Sequence, residues 1–115
     1  MRQINKYDIF YITLEKGVGS EQNGRRVCMV AQNNKGNLHS PTTIIAIISS
    51  ADKGEFIPTV VNIGKDYGLI KESYIHCEQL FTIDKVRLAE YVGNIDNELT
   101  QSKIDTALKI SLGVN

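Results

Sequence analysis

Two adjacent guanidiniums, Arg25 and Arg26, close a polar run punctuated by glycine, Gly19-Ser20-Glu21-Gln22-Asn23-Gly24, and lead straight into the apolar segment Val27 to Ala31. A guanidinium is planar, always charged, and carries donors in a fork that matches phosphate oxygens two at a time. Held at the first residue of a strand, it is a permanent positive charge placed to meet a phosphate. Taken alone, an arginine that opens a strand is more often a solvated surface residue. The same caution covers Ser49, since a serine at a strand end is usually a cap or turn hydroxyl. A serine nucleophile of the hydrolase kind needs a neighbouring base, and neither His39 nor His76 stands in a recognisable arrangement with Ser49 in the sequence. Both histidines are therefore expected to be structural or exposed. No Cys/His cluster has the spacing of zinc ligands, so no catalytic metal is expected. Cys28 and Cys77 form no C-x-x-C pair and read as reduced core or surface thiols.

The elements that must position these groups follow from hydrophobic pattern. Asp8 to Leu14 is rich in Ile, Phe, Tyr and Thr and predicts a strand. Lys16 to Gly24 reads as a loop, Val27 to Gln32 as a second strand, and Asn33-Asn34-Lys35-Gly36-Asn37 as a turn. Thr43 to Ser49 (TIIAIIS) is almost wholly apolar or β-branched, as a strand buried on both faces would be. Thr59 to Ile63, Tyr74 to Phe81 and, more weakly, Glu90 to Ile95 complete the strands. Ile104, Ala107, Leu108, Ser111 and Leu112 then fall on one face of a helix, with Asp96 or Asn97 to cap it and Gly113 to end it. Several short strands closed by a C-terminal helix predict a mainly β fold: a small, mostly antiparallel β-barrel with a helical lid. In the first strand Ile9, Tyr11 and Thr13 oppose Asp8, Phe10 and Ile12, so one of its two aromatics must face outward.

At 115 residues the chain, 1–115, is expected to be a single domain. An apolar share of 42% and a charged share of 23% are ordinary for a globular protein. No run of about 18 apolar residues is present, and the start MRQINKYDIF lacks a signal-peptide core, so no membrane partner and a cytoplasmic location are expected. Zero net charge argues against a generic nucleic-acid binder. The distribution is uneven, however. Residues 1–50 hold six cations against three anions and residues 51–115 seven against ten, so an anion-binding face should come mainly from the first half.

The blocks GSEQNGRR followed by V-x-x-VAQN as far as it runs here, GN-x-x-SPT, IPT, CEQLFTIDKVRL and DTALKISLG resemble, in this order and across essentially the whole chain, the MazF/PemK toxin endoribonucleases. The resemblance implies a CcdB/MazF-type barrel, a homodimer, and metal-independent, sequence-selective cleavage of single-stranded RNA with no cofactor. It also implies a MazE-like antitoxin whose tail occupies the RNA groove, with DNA contacted only indirectly through that antitoxin. By motif, the family's catalytic arginine matches Arg26 and its catalytic hydroxyl, commonly a threonine, matches Ser49. The candidate RNA-binding residues are Ser20, Glu21, Gln22, Arg25, Asn33, Phe56, Glu78 and Gln79. Departures from the family pattern are Val27 for proline, Asn34 for aspartate, Phe81 for a basic residue, Tyr7 for glycine and Val60 for histidine. Serine for threonine keeps the hydroxyl but loses the methyl that restricts χ1, and Phe81 suggests stacking in place of a phosphate contact.

In such cleavage the substrate's own 2′-hydroxyl is the nucleophile, and negative charge gathers on the phosphorane and the departing 5′-oxygen. Arg26 suits stabilisation of that charge better than general-base work, because its pKa lies above about 12. Ser49 would align a nonbridging oxygen or the 2′-hydroxyl. Glu78 can instead pair along its strand face with Lys85 or Arg87. Two other functions are weighed. A gyrase poison of the CcdB kind depends on a tryptophan near its C-terminus, and this chain has none. A degenerate toxin would bind antitoxin or a DNA complex without cutting RNA.

Overall fold

The structure, a computed structural model, describes residues 3–14, 24–50 and 57–115. Its elements are β1 (Asp8–Leu14), β2 (Gly24–Val30), α1 (Asn34–His39), β3 (Thr42–Ser49), β4 (Val60–Gly64), β5 (Ser73–Asp84), a 3-10 turn at Lys85–Arg87, β6 (Tyr91–Asn94) and α2 (Glu98–Leu112). Every ladder is antiparallel, and the order β4-β5-β3-β2-β1-β6 makes one six-stranded sheet. The antiparallel β architecture with a C-terminal helix expected from the sequence is present.

Alternation along the strands feeds two cores. Ile9, Met29, Ala46, Ile48, Ile75 and Cys77 pack with Ile104 and Ala107 of α2 on one face. Phe10, Ile12, Cys28, Val30, Ile45, Ile47 and Ile83 pack with Phe81 and Leu88 on the other. Strand β3 supplies alternate residues to both, which is why TIIAIIS carries no polar stripe. In β1 the buried aromatic is Phe10, and Tyr11 is the one left partly exposed.

The end strands β4 and β6 share no ladder. The sheet nevertheless curls until the segment after β4 meets β6. A Cβ built on Gly93 would stand 2.0 Å from the Tyr67 carbonyl oxygen, and one on Gly68, whose φ is +90°, 2.3 Å from that of Val92. The half-barrel is thus completed by backbone packed on backbone, in a space that only glycine leaves open.

One irregularity governs β5. Ala46 of β3 pairs with Leu80, but the next residue, Ile47, pairs with His76. Cys77, Glu78 and Gln79 are therefore extra, and the bulge inverts the inside–outside alternation. His76 shares a face with Ile47, whereas Leu80 packs against the α2 core.

Helix α2 starts where Asn97 accepts a hydrogen bond from the Thr100 N–H at 2.9 Å, and it ends at Gly113 in the left-handed region, φ +69°. Its buried face runs through Ile104, Ala107 and Leu108, while Leu112 is 63% exposed. The expected turn at 33–37 is instead the start of α1, capped by the Asn33 side chain accepting from the Gly36 N–H at 2.8 Å. Asn37 of α1 is buried. It receives the Thr43 hydroxyl at 2.7 Å and donates to the Gln32 carbonyl at 2.9 Å. Tyr7 adopts φ +75°, a conformation that favours glycine, and its hydroxyl donates to Asp105 of α2 at 2.8 Å. Among the described residues, no helix is long and apolar enough to cross a membrane.

Candidate active site

Strands β2 and β3 pair Val27 with Ile48, so the next position along each strand carries Arg26 and Ser49. On β3, Ile45 and Ile47 face the second core, and on β2 Cys28 and Val30 do the same. Two-residue alternation puts Arg26 and Ser49 on that face too. Both are half-buried and both border a cavity of about 460 Å³ at this end of the sheet. Strand β2 begins at Gly24 rather than at Val27, so both guanidiniums belong to residues inside the β1–β2 ladder, opposite Thr13 and Ile12. A short antiparallel ladder holds their backbone far more firmly than a loop would.

Arg25, Arg26 and Lys71 line the cavity with Tyr11, Ser49 and Ser50, and no carboxylate of the described residues lines it. Arg25 stacks on Tyr11, its guanidinium carbon 3.9 Å from the ring centroid, and forms an exposed ion pair with Glu90. The outward-facing aromatic of β1 thus supports a cation. A second cavity of about 490 Å³ lies between β4 and α2, where Leu99, Ile110, Val60 and Val61 stand with Asn62, Ser102 and Thr106, and Lys103 is the one cation of the described residues that lines it. The first is the one built for an anion.

Behind Ser49 stands a residue that the sequence reading left out of the site. His76 is 1% exposed, and its Nε2 lies 2.7 Å from the Ser49 Oγ. Its Nδ1 is 3.4 Å from Oε2 of Glu78, at an alignment short of a hydrogen bond, and has no other polar partner among the described residues. Glu78 in turn accepts the Thr59 hydroxyl at 3.2 Å. The expectation that neither histidine is arranged with Ser49 is corrected here, as is the pairing of Glu78 with Lys85 or Arg87. Lys85 donates to the Asn37 carbonyl and Arg87 to the Thr13 carbonyl. The Ser49–His76 contact follows from the β3–β5 register, which pairs Ile47 with His76 and Ser49 with Tyr74 and so sets the two side chains diagonally on one face.

The remaining candidates divide. Asn33 follows the far end of β2, where it caps α1, and is not at the Arg26 end of the strand. Gln79 is half-buried within the bulge. Ser20, Glu21, Gln22 and Phe56 lie outside the described residues. Lys71 and Tyr11 line the cavity without having been singled out as site residues, and an exposed lysine between strands carries no sequence signal to find it. His39 is exposed. Cys28 and Cys77 are buried free thiols. Burial pushes both up to about 12, and the neighbouring Glu78 adds to the effect on Cys77.

The chain is similar to known proteins over nearly all of its length. It is 41% identical over 112 residues to Endoribonuclease EndoA of Bacillus subtilis (strain 168), covering 96% of each chain. The fold matches a mycobacterial endoribonuclease solved with its cognate antitoxin at TM-score 0.81 and 23% identity, over 97% of each chain. It matches a MazE–MazF structure from Deinococcus radiodurans at TM-score 0.77 and 18% identity, over 100% of each. Residues 5–112 match the family of PemK-like, MazF-like toxins of type II toxin–antitoxin systems, and the chain belongs to that family.

Proposed function

We propose that this chain is the toxin of a toxin–antitoxin pair and acts as an endoribonuclease on single-stranded RNA in the cytoplasm, without a metal or cofactor. The observation that carries the reading is the cavity bordered by Arg25, Arg26, Lys71 and Ser49, whose lining holds no carboxylate of the described residues. Attack by the 2′-hydroxyl on the adjacent phosphorus needs in-line positioning and a fixed positive charge for the phosphorane oxygens. Arg26 supplies the charge from a strand, so little reorganisation is required as the reaction proceeds. Ser49 holds a nonbridging oxygen or the 2′-hydroxyl, and Arg25, propped on Tyr11, meets a flanking phosphate. The products are a 2′,3′-cyclic phosphate and a 5′-hydroxyl. A homodimer and a MazE-like antitoxin covering the same cavity fit the family, and any contact with DNA runs through the antitoxin.

The test is cleavage of a mixed-sequence RNA in EDTA with analysis of the fragment ends. Arg26→Ala should slow cleavage by about 10²–10³-fold, the usual worth of one preorganised donor to developing charge. Loss of wild-type cleavage in EDTA with recovery in magnesium would reject the mechanism.

A further inference from the structure

A buried imidazole needs a reason. His76 sits in an apolar stretch of β5, its ladder neighbours being Ile47 on β3 and Val60 on β4, and burial of a polar ring costs free energy unless its nitrogens are bonded. One nitrogen is satisfied at 2.7 Å by the Ser49 hydroxyl. The other faces the Glu78 carboxylate at 3.4 Å and meets no other polar group among the described residues. In an unbroken strand, residues two apart stand about 7 Å from each other. Glu78 itself lies within the bulge at Cys77–Gln79.

These contacts assign the proton. An ionised carboxylate only accepts, so the nitrogen turned towards it, Nδ1, carries the hydrogen of the neutral ring. Nε2 is then the lone pair, and the Ser49 hydroxyl donates to it. Serine lacks the β-branch that would restrict its χ1, and the bond to His76 fixes the torsion instead. With its hydrogen turned inward, the Ser49 oxygen presents its lone pairs away from the ring. It can thus accept a hydrogen bond from an alcohol bound at the cavity that both Ser49 and Arg26 border.

We infer that His76 is a positioning residue that takes up, through Ser49, the proton released when the 2′-hydroxyl attacks. The inference rests on the endoribonuclease reading. As the 2′-oxygen forms its bond to phosphorus, its proton passes to the Ser49 oxygen while the serine proton passes to Nε2. The bond from phosphorus to the 5′-oxygen breaks with its electron pair on oxygen, which takes a proton from water. The imidazolium, facing Glu78, returns its proton through Ser49 to the hydroxide so formed, and the enzyme is restored. Among the described residues the charged groups around the ring are few. Glu78 lies on its own strand, Arg26 on the same face one strand beyond β3, and neither β3 nor β4 carries a charged side chain. A protonated ring can no longer accept from Ser49, so activity is lost as pH falls.

The experiment measures single-turnover cleavage of a short RNA in EDTA from pH 5 to 9 for wild type, His76→Gln, His76→Leu, Ser49→Ala and the double variant His76→Gln/Ser49→Ala. Binding of a 2′-O-methyl RNA that cannot be cut is measured alongside. Wild type should lose activity towards acid pH with the slope of one proton. His76→Gln should flatten that slope and lower the plateau by about 10²-fold, the lower end for a positioned proton acceptor, with unchanged affinity for the methylated RNA. His76→Leu, which fills the space with an apolar group, should lose as much while melting no lower than wild type. The double variant should be no slower than Ser49→Ala. Retention of the wild-type profile in His76→Gln would overturn the inference, as would additive losses in the double variant. Covalent labelling of Ser49 by a fluorophosphonate would overturn it too, by making the serine itself the nucleophile. A wild type that cuts RNA but is indifferent to His76 defeats this inference alone, whereas a wild type that cuts nothing defeats the endoribonuclease reading beneath it.

Discussion

Gly93→Ala is the most direct probe of how the sheet closes. A methyl on Gly93 would lie 2.0 Å from the Tyr67 carbonyl oxygen and 2.8 Å from its carbonyl carbon, whereas ordinary contact begins at 3.4 Å. About 1.4 Å must be found, and the obstacle is backbone rather than the end of a flexible side chain. Overpacking of a tight site costs typically about 1–3 kcal/mol; with main chain on both sides we expect about 3. For a domain of this size each kcal/mol is worth about 3–5 °C, so the melting temperature should drop by about 9–15 °C. Gly113→Ala is the control. Its φ is +69° but nothing lies within 4 Å of the added methyl, so it should cost only about 1 kcal/mol, the strain of a left-handed alanine. Thermal unfolding followed by circular dichroism at one protein concentration distinguishes the two. Because Gly68 and Val92 also border the arginine cavity, RNA cleavage by Gly93→Ala should weaken well below its melting point. A Gly93→Ala protein melting with wild type, or above Gly113→Ala, would refute the account of the seam.

Asn37→Ala should destabilise the fold by about 2–3 kcal/mol in urea titration, because Thr43 and Gln32 lose their buried partner. Neither cysteine should react with a thiol reagent at pH 8 in the native protein, and both should react after denaturation. The same burial sets an alkaline limit. The thiols ionise from about 9.0 when unfolded but only at about 12 when folded, so their contribution is complete below pH 9. Above it, stability falls by about 1.4 kcal/mol per pH unit for each thiol. Melting curves at pH 8, 9.5 and 10.5 test the direction, and Cys28→Ser should remove part of the slope.

What could be read from the sequence was whatever repeats with a regular period. TIIAIIS announced a strand buried on both faces because β3 serves both cores. The face of α2 was legible from Ile104 to Leu108, and its caps from Asn97 and Gly113, because caps act over three or four residues. Helix α1 was not, since Asn34, Gly36 and Asn37 are poor helix formers; what holds it is the buried bonding of Asn37 to β3 and Gln32, which no local pattern displays. Arg26 and Ser49 were singled out through motif, and the β2–β3 register explains why residues 23 apart in sequence border one cavity. The His76 contact was missed because it depends on the β3–β5 register, which pairs Ile47 with His76 and Ser49 with Tyr74 and which no local pattern of either strand displays. Tyr7 is the converse: a position where the resembled family favours glycine, and where φ is +75°. The bonds from its hydroxyl to Asp105 offset the cost of a side chain there.

Leaving the circle of strands unstitched has a consequence for life in a crowded solution. A sheet whose end strands share no ladder keeps two rims, the setting in which foreign chains add on and aggregates begin. Here those rims are only five and four residues long, in β4 and β6, and each carries an asparagine and a glycine, residues poorly suited to extended pairing. A stray segment could form few bonds at either before running out of template. Brevity at the margins, rather than full closure, keeps this sheet from recruiting others.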